Sequence, residues 1–334
     1  MIEIGVDIGG TFTDVVLLRD QRRIHQTKVP TTPADPIGGV KHGVEKILAA
    51  AQVKPGEITR FIHGSTVAIN ALLQRKGSLI GVLMTDGFED TLEIGRQKRS
   101  RMYELALEPE TPVFLAPRRR RFGIRGRIAA DGSEVTPLDE QAVREAACTL
   151  VEQHGVTTIA VCYLFSFRNP AHERRTRDLI AAEFPALHIS LSSEVDPTFR
   201  EYERLVVTAL DAYLHGAVGD YVERLHATLA GMGIGAELQV MQSRGGITSA
   251  AAIARRPVAL LLSGLAAGVV GSKFVAECAG HNDVISLDIG GTSCDIALIR
   301  AGKPIVASQT SIGGFPLRQQ MIDVNTIGAG GGSI

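Results

Sequence analysis

The sequence predicts an α/β protein built on mixed sheets, and two observations carry this prediction. The first 85 residues have the pattern β-β-β-α-β-α-β, in which three neighbouring strands precede α/β crossovers. The octapeptide DIGGTFTD at residues 7–14 returns as DIGGTSCD at residues 288–295, again between strand-like runs. The chain is therefore expected to contain two regions that open in the same way.

The opening hairpin is predicted from its residue types. Residues 2–7 and 12–18 are rich in aliphatic and β-branched side chains, and the strand-like run RIHQTKVP follows them. The glycines between the first two runs do not open a helix, as the GxGxxG motif of a dinucleotide-binding fold would require. The GGT turn is therefore interpreted as the tip of a β-hairpin.

Helices and strands alternate after this hairpin. A helix is predicted over DPIGGVKHGVEKILAAA, with Pro36 in its first turn, and a second is predicted to begin at Ser65. Strands are predicted over residues 58–64 and 79–85. Residues 96–135 are then basic and irregular, which indicates an insertion or flap that contains a hairpin.

The rest of the chain returns to α/β alternation before it repeats the opening. Helices LDEQAVREAACTLVEQHG and PAHERRTRDLIAAEF alternate with strands TIAVCYLF and HISLSS, and one long or gently broken helix is predicted over FREYERLVVTALDAYLHGAVGDYVERLHATLAGMG. Strand ELQVMQS follows. The apolar run at residues 257–271 is interpreted as a core strand that leads into a helix of small residues.

Composition limits the classes of partner. The chain has 334 residues, is 45% hydrophobic, and carries 35 Lys and Arg against 36 Asp and Glu. This balance predicts globular cores and gives no overall attraction to nucleic acid or to an anionic membrane. The basic run 118–121 has no interleaved aromatic residues, so it is interpreted as solvated surface or a partner contact. With no signal-peptide pattern and no run of about 20 apolar residues, a cytoplasmic location is expected.

The cysteines give no metal or redox signature. They are spaced without a CxxC motif and lie in apolar or glycine-rich runs at positions Cys148, Cys162, Cys278 and Cys294. All four are predicted to be buried free thiols in a reducing compartment.

The repeated octapeptide predicts a polyphosphate site. A D-x-G-G-T turn exposes backbone N–H groups around a small anionic volume and adds a threonine hydroxyl. The preceding aspartate would repel phosphate, which makes sense if Mg²⁺ or a polarised water stands between them. Two such hairpins that face one another would hold a polyphosphate chain from both sides, so Asp7 and Asp288 are the predicted catalytic residues and magnesium organisers.

Seven motifs occur in the order and approximate spacing of the hydantoinase A / oxoprolinase family, which the chain resembles along essentially its whole length. They are GVDIGGTFTDVVLL, FIHGSTVAINALLQRKG, TDGFEDTLEIGRQ, EYERLVVTALDAYL, SGLAAGVVG, LDIGGTSCDIALI and IDVNTIGAGGGSI. The paired hairpins also resemble the phosphate-1 and phosphate-2 hairpins of the actin-like ATPase superfamily. The sequence departs from the family pattern at Cys294, Leu265 and Asn325, where Thr or Ser, Pro and His are usual.

The resemblance implies an actin-like ATPase (ribonuclease H-like) fold with five-stranded mixed sheets and a β-β-β-α-β-α opening. The domains it implies are 1–95 for the first subdomain core, 96–135 for the insertion, 136–282 for the α/β continuation with connecting helices, and 283–334 for the start of a second ATPase domain. Family members are about twice as long, so this second domain is expected to be truncated after its hairpin.

The function that the resemblance implies is ATP-dependent hydrolysis of a cyclic amide such as a hydantoin, 5-oxoproline or a lactam, by phosphorylation of the carbonyl oxygen. ATP and Mg²⁺ are the expected cofactors, and a B-type hydantoinase subunit is the expected partner, with a homo-oligomer left open. The alternatives are the ATP-binding subunit of an acetone or acetophenone carboxylase and an inactive nucleotide-binding fragment.

Candidate site residues fall into three groups. Those predicted to bind nucleotide are Gly9, Gly10, Thr11, Thr13, Asp14, Gly290, Gly291, Thr292, Asp295, Gly328, Gly330, Gly331 and Gly332. Those predicted to contact substrate are His63, Ser65, Thr66, Asn70, Arg96, Glu201 and Arg204. Asp323 is a further candidate for the metal. Two alternatives stay open: His63 as a core histidine, and Asp14 and Asp295 as braces of their own hairpins.

Overall fold

The structure is a computed structural model that describes residues 1–20, 23–32, 35–97, 103, 115–290 and 293–331. It divides into two compact units. Unit 1 comprises Met1–Ala71, Ala217–Ser308 and Gln320–Ile334, and unit 2 comprises Leu72–Gly216 and Gln309–Gln319. These two units are compact groups of residues rather than the four domain ranges predicted from the sequence, which stay a prediction.

The strands are numbered along the chain. They are β1 Ile2–Ile8, β2 Phe12–Arg19, β3 Arg23–Pro30, β4 Arg60–Ser65, β5 Ile80–Thr85, β6 Arg121–Ile124, β7 Arg127–Ile128, β8 Glu134–Thr136, β9 Thr158–Cys162, β10 His188–Leu191, β11 Leu238–Met241, β12 Ile247–Ser249, β13 Val284–Ile289, β14 Cys294–Arg300, β15 Lys303–Pro304, β16 Val306–Ala307, β17 Thr310–Ile312, β18 Phe315–Leu317, β19 Met321–Ile322 and β20 Val324–Ile327.

The α-helices are α1 Pro36–Ala51, α2 Val67–Leu73, α3 Thr91–Ile94, α4 Glu140–Cys148, α5 Ala171–Glu183, α6 Ser192–Val195, α7 Glu201–Gly231, α8 Ala250–Arg255 and α9 Ser263–Cys278. Short 3₁₀ turns occupy Pro55–Glu57, Arg118–Arg120 and Pro257–Leu260, and α4 continues as a π-helical turn over Thr149–Gln153. The long helix predicted from the 3.6-residue period is confirmed as α7.

Unit 1 contains a mixed sheet of order β12-β11-β4-β1-β2-β3. Strands β1, β2 and β3 are antiparallel neighbours, while β4 is parallel to β1 and β11 is parallel to β4. The mixed α/β class and the β-β-β-α-β-α opening are confirmed. The sheet has six strands where five were expected. The extra strand is β12, which folds back onto β11 through a turn closed by a hydrogen bond from Gln242 N–H to Gly246 O at 2.7 Å.

The second hairpin belongs to a separate sheet of unit 1. This sheet has the order β13-β14-β15, and β20 also pairs with β14. The predicted sequence of strand, glycine turn, strand, tight turn and strand is therefore confirmed. One face of β13 presents Ile285, Leu287 and Ile289 to solvent, with 57–69% of each side chain exposed.

Unit 2 is built on the parallel sheet β10-β9-β5-β6. Helices α4 and α5 pack on it through buried side chains such as Val143, Ile159, Val161 and Leu179. The Asp139 side chain caps α4 by accepting from Ala142 N–H at 3.0 Å, which satisfies one of the free donors of the first turn.

Two predicted boundaries are wrong for identifiable reasons. Residues 257–262 form no strand, because Pro257 has no N–H for a ladder and the Ser243 side chain binds the carbonyls of Ala259 and Leu261. Helix α2 begins at Val67 rather than at Ser65, since Ser65 ends β4 and its Oγ accepts from Val67 N–H at 3.1 Å.

Other expectations have mixed outcomes. The hairpin predicted in the insertion is confirmed as β7–β8, while residues 98–102 and 104–114 of the insertion lie outside the described residues. All four cysteines are free, but Cys278 is exposed and Cys148 only partly buried, so the prediction of four buried thiols is wrong. Among the described residues, none of the helices has the length and apolar character needed to cross a membrane.

Candidate nucleotide site

The first hairpin places Asp7 beside its glycine turn. Asp7 is the cross-strand partner of Asp14, and Ile8 is the partner of Thr13. The turn is closed by Gly9 N–H, which donates to Phe12 O at 2.9 Å. The predicted strand–turn–strand geometry around Asp7 is therefore present.

The second hairpin has the same register. Asp288 is the cross-strand partner of Asp295, and Gly290 N–H donates to Ser293 O at 2.9 Å. Each pair of residues occupies the same place in its octapeptide as in the first hairpin. Gly291 and Thr292, together with Gly332 of the final glycine loop, lie outside the described residues.

The final glycine loop contacts the second hairpin. Gly331 N–H donates to Gly290 O at 2.9 Å, directly beside the turn. Strand β20, which precedes this loop, pairs with β14, and Thr326 Oγ1 donates to Asp295 Oδ1 at 2.6 Å. In the first hairpin Asp14 forms an exposed ion pair with Lys28 at 3.2 Å. Both contacts support the alternative in which Asp14 and Asp295 brace their own hairpins.

Helix α9 brings the two aspartates to one side of unit 1. A Cβ placed on Gly264 would lie 3.5 Å from Asp7 Oδ1, and one placed on Gly268 would lie 3.8 Å from Asp288 Oδ2. Residues four apart share a helix face and are separated by about one turn, roughly 5–6 Å. The two carboxylates therefore lie against one face of α9, beside positions that are about one turn apart.

The surroundings of Asp7 disfavour its negative charge. Water reaches its side chain, but surrounding protein atoms desolvate the carboxylate, and this is the main reason why its pKa rises from 3.8 to about 6. The negative charges of Asp14 and then Asp288 raise the pKa further. A site where carboxylates repel one another favours a bound cation.

The described residues fit a magnesium ion whose other ligands are waters and the oxygens of a bound phosphate. No group of three or more His, Cys, Asp or Glu side chains that could hold a metal by themselves is found in the described part of the chain. Mg²⁺ usually takes one or two carboxylates and completes its octahedron with waters and phosphate oxygens, so Asp7 and Asp288 suit it. The other metal candidate, Asp323, lies in a shallow hollow with Asn325 and the apolar residues Ile285 and Leu298.

The unfolding free energy of the nucleotide-free protein is expected to depend on Asp7 between pH 4 and about 6. Because the pKa of Asp7 is raised in the fold, the folded state keeps a proton that the unfolded chain has lost in this window. The stability that this proton contributes is present at low pH and is lost as Asp7 ionises. Urea unfolding of the wild type and Asp7→Asn from pH 4 to 7 should give similar free energies of unfolding near pH 4 and an advantage for Asp7→Asn that grows as pH rises; a flat difference contradicts the assignment.

The substrate candidates of unit 1 lie next to the first hairpin. Thr66 Oγ1 is 3.4 Å from Ile8 O, and Asn70 Nδ2 donates to Thr66 Oγ1 at 3.2 Å. His63 is buried, and both of its ring nitrogens have protein partners, Val6 O at 3.2 Å and the Tyr221 hydroxyl at 2.5 Å. Burial lowers the pKa of His63 to about 4, which favours the core-histidine alternative.

The substrate candidates of unit 2 already bind protein groups. Arg96 forms a two-point ion pair with Glu203, with Nε to Oε1 at 2.6 Å. Arg204 is 1% exposed and donates to Ser192 Oγ and to two backbone carbonyls. Glu201 is exposed at the start of α7. The assignment of these residues to substrate binding stays a prediction.

Sequence reasoning missed Gly64, Gly264, Gly268 and Tyr221. The spacing of Gly264 and Gly268 in SGLAAGVVG gave a usable signal, because glycines four apart clear one face of a helix for close approach. Gly64 is the β4 partner of Asp7, and a Cβ there would lie 2.8 Å from Asp7 Oδ1. Its role depends on the pairing of strands that are far apart in the sequence.

Gly64→Ala is expected to move the Asp7 carboxylate with little loss of stability, because the atom in the way is the end of a rotatable side chain. We expect Mg-ATP affinity to fall about tenfold, or about 1.4 kcal/mol, while the melting temperature changes little. Gly5→Ala is the matched control, since a Cβ on Gly5 of the same sheet meets nothing within 4 Å. Calorimetric titration measures the affinities; equal binding by both variants would contradict the expectation.

The chain is similar to known proteins along nearly its whole length. The chain is 37% identical over 337 residues to caprolactamase subunit alpha of Pseudomonas jessenii, covering 99% of this chain and 48% of that protein. The crystal structure of the ATP-dependent caprolactamase from that organism matches with a TM-score of 0.89 at 36% identity, over 99% of this chain and 48% of the other.

Two carboxylases are also similar to the chain. The acetophenone carboxylase gamma subunit of Aromatoleum aromaticum is 34% identical, covering 99% of this chain and 47% of that protein. The nucleotide-free structure of acetone carboxylase matches with a TM-score of 0.86 at 26% identity, over 98% of this chain and 48% of the other. The chain spans about half the length of these relatives.

Two family profiles divide the chain between them. The hydantoinase/oxoprolinase N-terminal region matches residues 3–184, and the hydantoinase/oxoprolinase region matches residues 204–334. The predicted fold is confirmed by the caprolactamase match, which extends over nearly the whole chain. This chain belongs to the hydantoinase/oxoprolinase family.

Proposed function

We propose that the chain is the nucleotide-binding part of an ATP-dependent hydrolase that opens a cyclic amide such as a lactam, a hydantoin or 5-oxoproline. One observation carries the proposal: two hairpins of identical register turn their aspartates, Asp7 and Asp288, toward one face of α9. The similarity to an ATP-dependent caprolactamase supports the reaction class.

The proposed chemistry answers a specific difficulty. Amide resonance makes the carbonyl carbon a weak electrophile. Transfer of the γ-phosphoryl group to the carbonyl oxygen, with ADP as the leaving group, would open that carbon to attack by water. The ring C–N bond would then break, and a second water would release the phosphoryl group as inorganic phosphate. Catalysis of such a transfer is mainly positioning and charge neutralisation. In this chain the turn amide of Gly10 would donate to phosphate oxygens, while Gly9 and Gly290, whose amides close the two turns, would line the phosphates without a side chain in the way.

Asp7 and Asp288 would hold Mg²⁺ through water, and the ion would supply the positive charge that neutralises the phosphates. The other nucleotide and substrate residues predicted from the sequence stay predictions, except that we assign His63 to the core and Asp14 and Asp295 to bracing their own hairpins. The name of the caprolactamase relative describes one subunit of a larger enzyme. We therefore include a B-type partner subunit in the proposal, and a cytoplasmic location with it.

The decisive experiment measures Mg-ATP binding and turnover on the complete protein, with and without a panel of lactams, hydantoins and 5-oxoproline. We expect ADP release that depends on one cyclic amide and ring-opened product in equal amount. Absence of Mg-ATP binding would overturn the proposal. Binding without turnover for any substrate would favour an inactive nucleotide-binding protein.

A carboxylase subunit is the second candidate, and its support is the acetophenone carboxylase relative at 34% identity. Such an enzyme would phosphorylate a ketone enolate and require bicarbonate. ATP turnover that depends on bicarbonate with acetone or acetophenone, and a product that carries a new carboxylate, would favour it over the hydrolase.

A further inference from the structure

A buried chain of hydrogen bonds crosses the sheet of unit 1 below the first hairpin. Val67 N–H donates to Ser65 Oγ at 3.1 Å, and the Ser65 side chain also acts on the Tyr221 hydroxyl, where it offsets part of the rise that burial causes in the Tyr221 pKa. The Tyr221 hydroxyl lies 2.5 Å from His63 Nε2, and His63 Nδ1 lies 3.2 Å from Val6 O. These groups connect β1, β4, α2 and α7.

The direction of every bond in this chain is fixed. The carbonyl of Val6 can only accept, so His63 Nδ1 carries the proton and donates. His63 is buried and neutral, which leaves Nε2 as an acceptor for the Tyr221 O–H. The Tyr221 oxygen can then accept from the Ser65 hydroxyl, whose own oxygen accepts from Val67 N–H. The Tyr221 hydroxyl can therefore donate to His63 and still accept a second bond.

The β1–β4 register places Asp7 between the residue pairs that contain His63 and Ser65. In the parallel pair of β1 and β4, Asp7 is opposite Gly64, while Val6 and Ile8 are opposite His63 and Ser65. Side chains alternate along a strand, so the two residues that bind Tyr221 share one face and the Asp7–Gly64 pair has the other. Tyr221 therefore lies across the sheet from the proposed nucleotide.

We infer that Tyr221 is a positioning residue of the proposed nucleotide site, because its hydroxyl bonds His63, which precedes Gly64 on β4 and contacts Val6 O, next to Asp7, on β1. Tyr221 is 7% exposed, and its bond to His63 ties α7 to β4 and, through the His63 contact with Val6 O, to β1 beside the Asp7–Gly64 pair. The same segment of β4 also receives a bond from α9, since Ser263 Oγ donates to Ser65 O at 2.9 Å. This inference rests on the proposed function.

Tyr221→Phe tests the inference, because it removes the hydroxyl and keeps the ring. On the complete protein we expect the Kd for Mg-ATP to rise about tenfold. Tyr213→Phe is the matched control: Tyr213 lies on the same helix and is 5% exposed, but it is outside this chain of bonds. Its Kd should stay within about twofold of the wild type at a similar change of melting temperature.

A double-mutant cycle separates positioning from general destabilisation. If Tyr221 acts through Asp7, Tyr221→Phe should change Mg-ATP affinity little when Asp7→Asn is already present. Independent, multiplying effects would overturn the inference, as would wild-type affinity in Tyr221→Phe. Should Tyr221→Phe fail to fold, Ser65→Ala removes the neighbouring hydroxyl that acts on Tyr221 and is expected to weaken binding in the same direction. A wild-type protein that does not bind Mg-ATP would instead defeat the proposed function.

Discussion

Asp7→Asn is expected to lower amide-dependent ATP turnover by about 10²–10³-fold, the loss typical when one charged or dipolar group that stabilises the transition state is removed. The substitution keeps the shape of the side chain but removes the charge that would organise magnesium beside the phosphates. Asp288→Asn should have an effect of the same order, because Asp288 occupies the equivalent place on the second hairpin. Steady-state release of ADP at saturating magnesium measures both.

The fold should survive these substitutions. The pKa of Asp7 is raised to about 6, so its charge opposes folding at neutral pH and Asp7→Asn is expected to be as stable as the wild type or more so. Asp220→Asn, on an exposed position of α7, is the control and should turn over ATP normally. Near-normal turnover in folded Asp7→Asn would show that the hairpin does not hold the reacting phosphate.

Arg204→Ala is expected to lower the free energy of unfolding by about 3 kcal/mol or more, the largest stability effect we predict. The guanidinium is buried and donates to Ser192 Oγ at 3.1 Å, to Thr198 O at 2.9 Å and to Tyr163 O at 2.8 Å. Ser192 Oγ also donates to the buried carboxylate of Glu173 at 2.5 Å. Truncation leaves these acceptors without their donor and opens a cavity in unit 2. Urea denaturation measures the loss.

Arg174→Ala is the control for this prediction, since Arg174 is exposed on α5 and its loss should change stability by less than about 0.5 kcal/mol. If Arg204→Ala is as stable as Arg174→Ala but loses substrate affinity, the sequence-based assignment of Arg204 to substrate is the better explanation. If it unfolds, its primary role is in the core.

Local patterns predicted the parts of the fold that local interactions determine. The two hairpins follow from β-branched runs around glycine turns, and α7 follows from an uninterrupted helical period. Strand β12 and the 3₁₀ turn at Pro257 were missed because each depends on hydrogen bonds to residues distant in sequence or on a turn that periodicity does not reveal.

The candidate site shows the same limit. Asp7 and Asp288 were identified because the octapeptide repeats, which is visible in the sequence alone. Gly64 and Tyr221 could not be found in this way, because Gly64 gains its meaning from the pairing of β1 with β4, and Tyr221 from the helix packed beneath that pair. Residues that position a site through strand pairing or helix packing belong to no sequence motif that would reveal them.

Gly264 and Gly268 lie beside Asp7 and Asp288, so one helix, α9, contacts both aspartates. The two carboxylates thus have neighbouring positions of a single helix as their common surroundings. A side chain introduced at either glycine would therefore crowd one aspartate directly, and a shift of α9 to relieve it would reach the other.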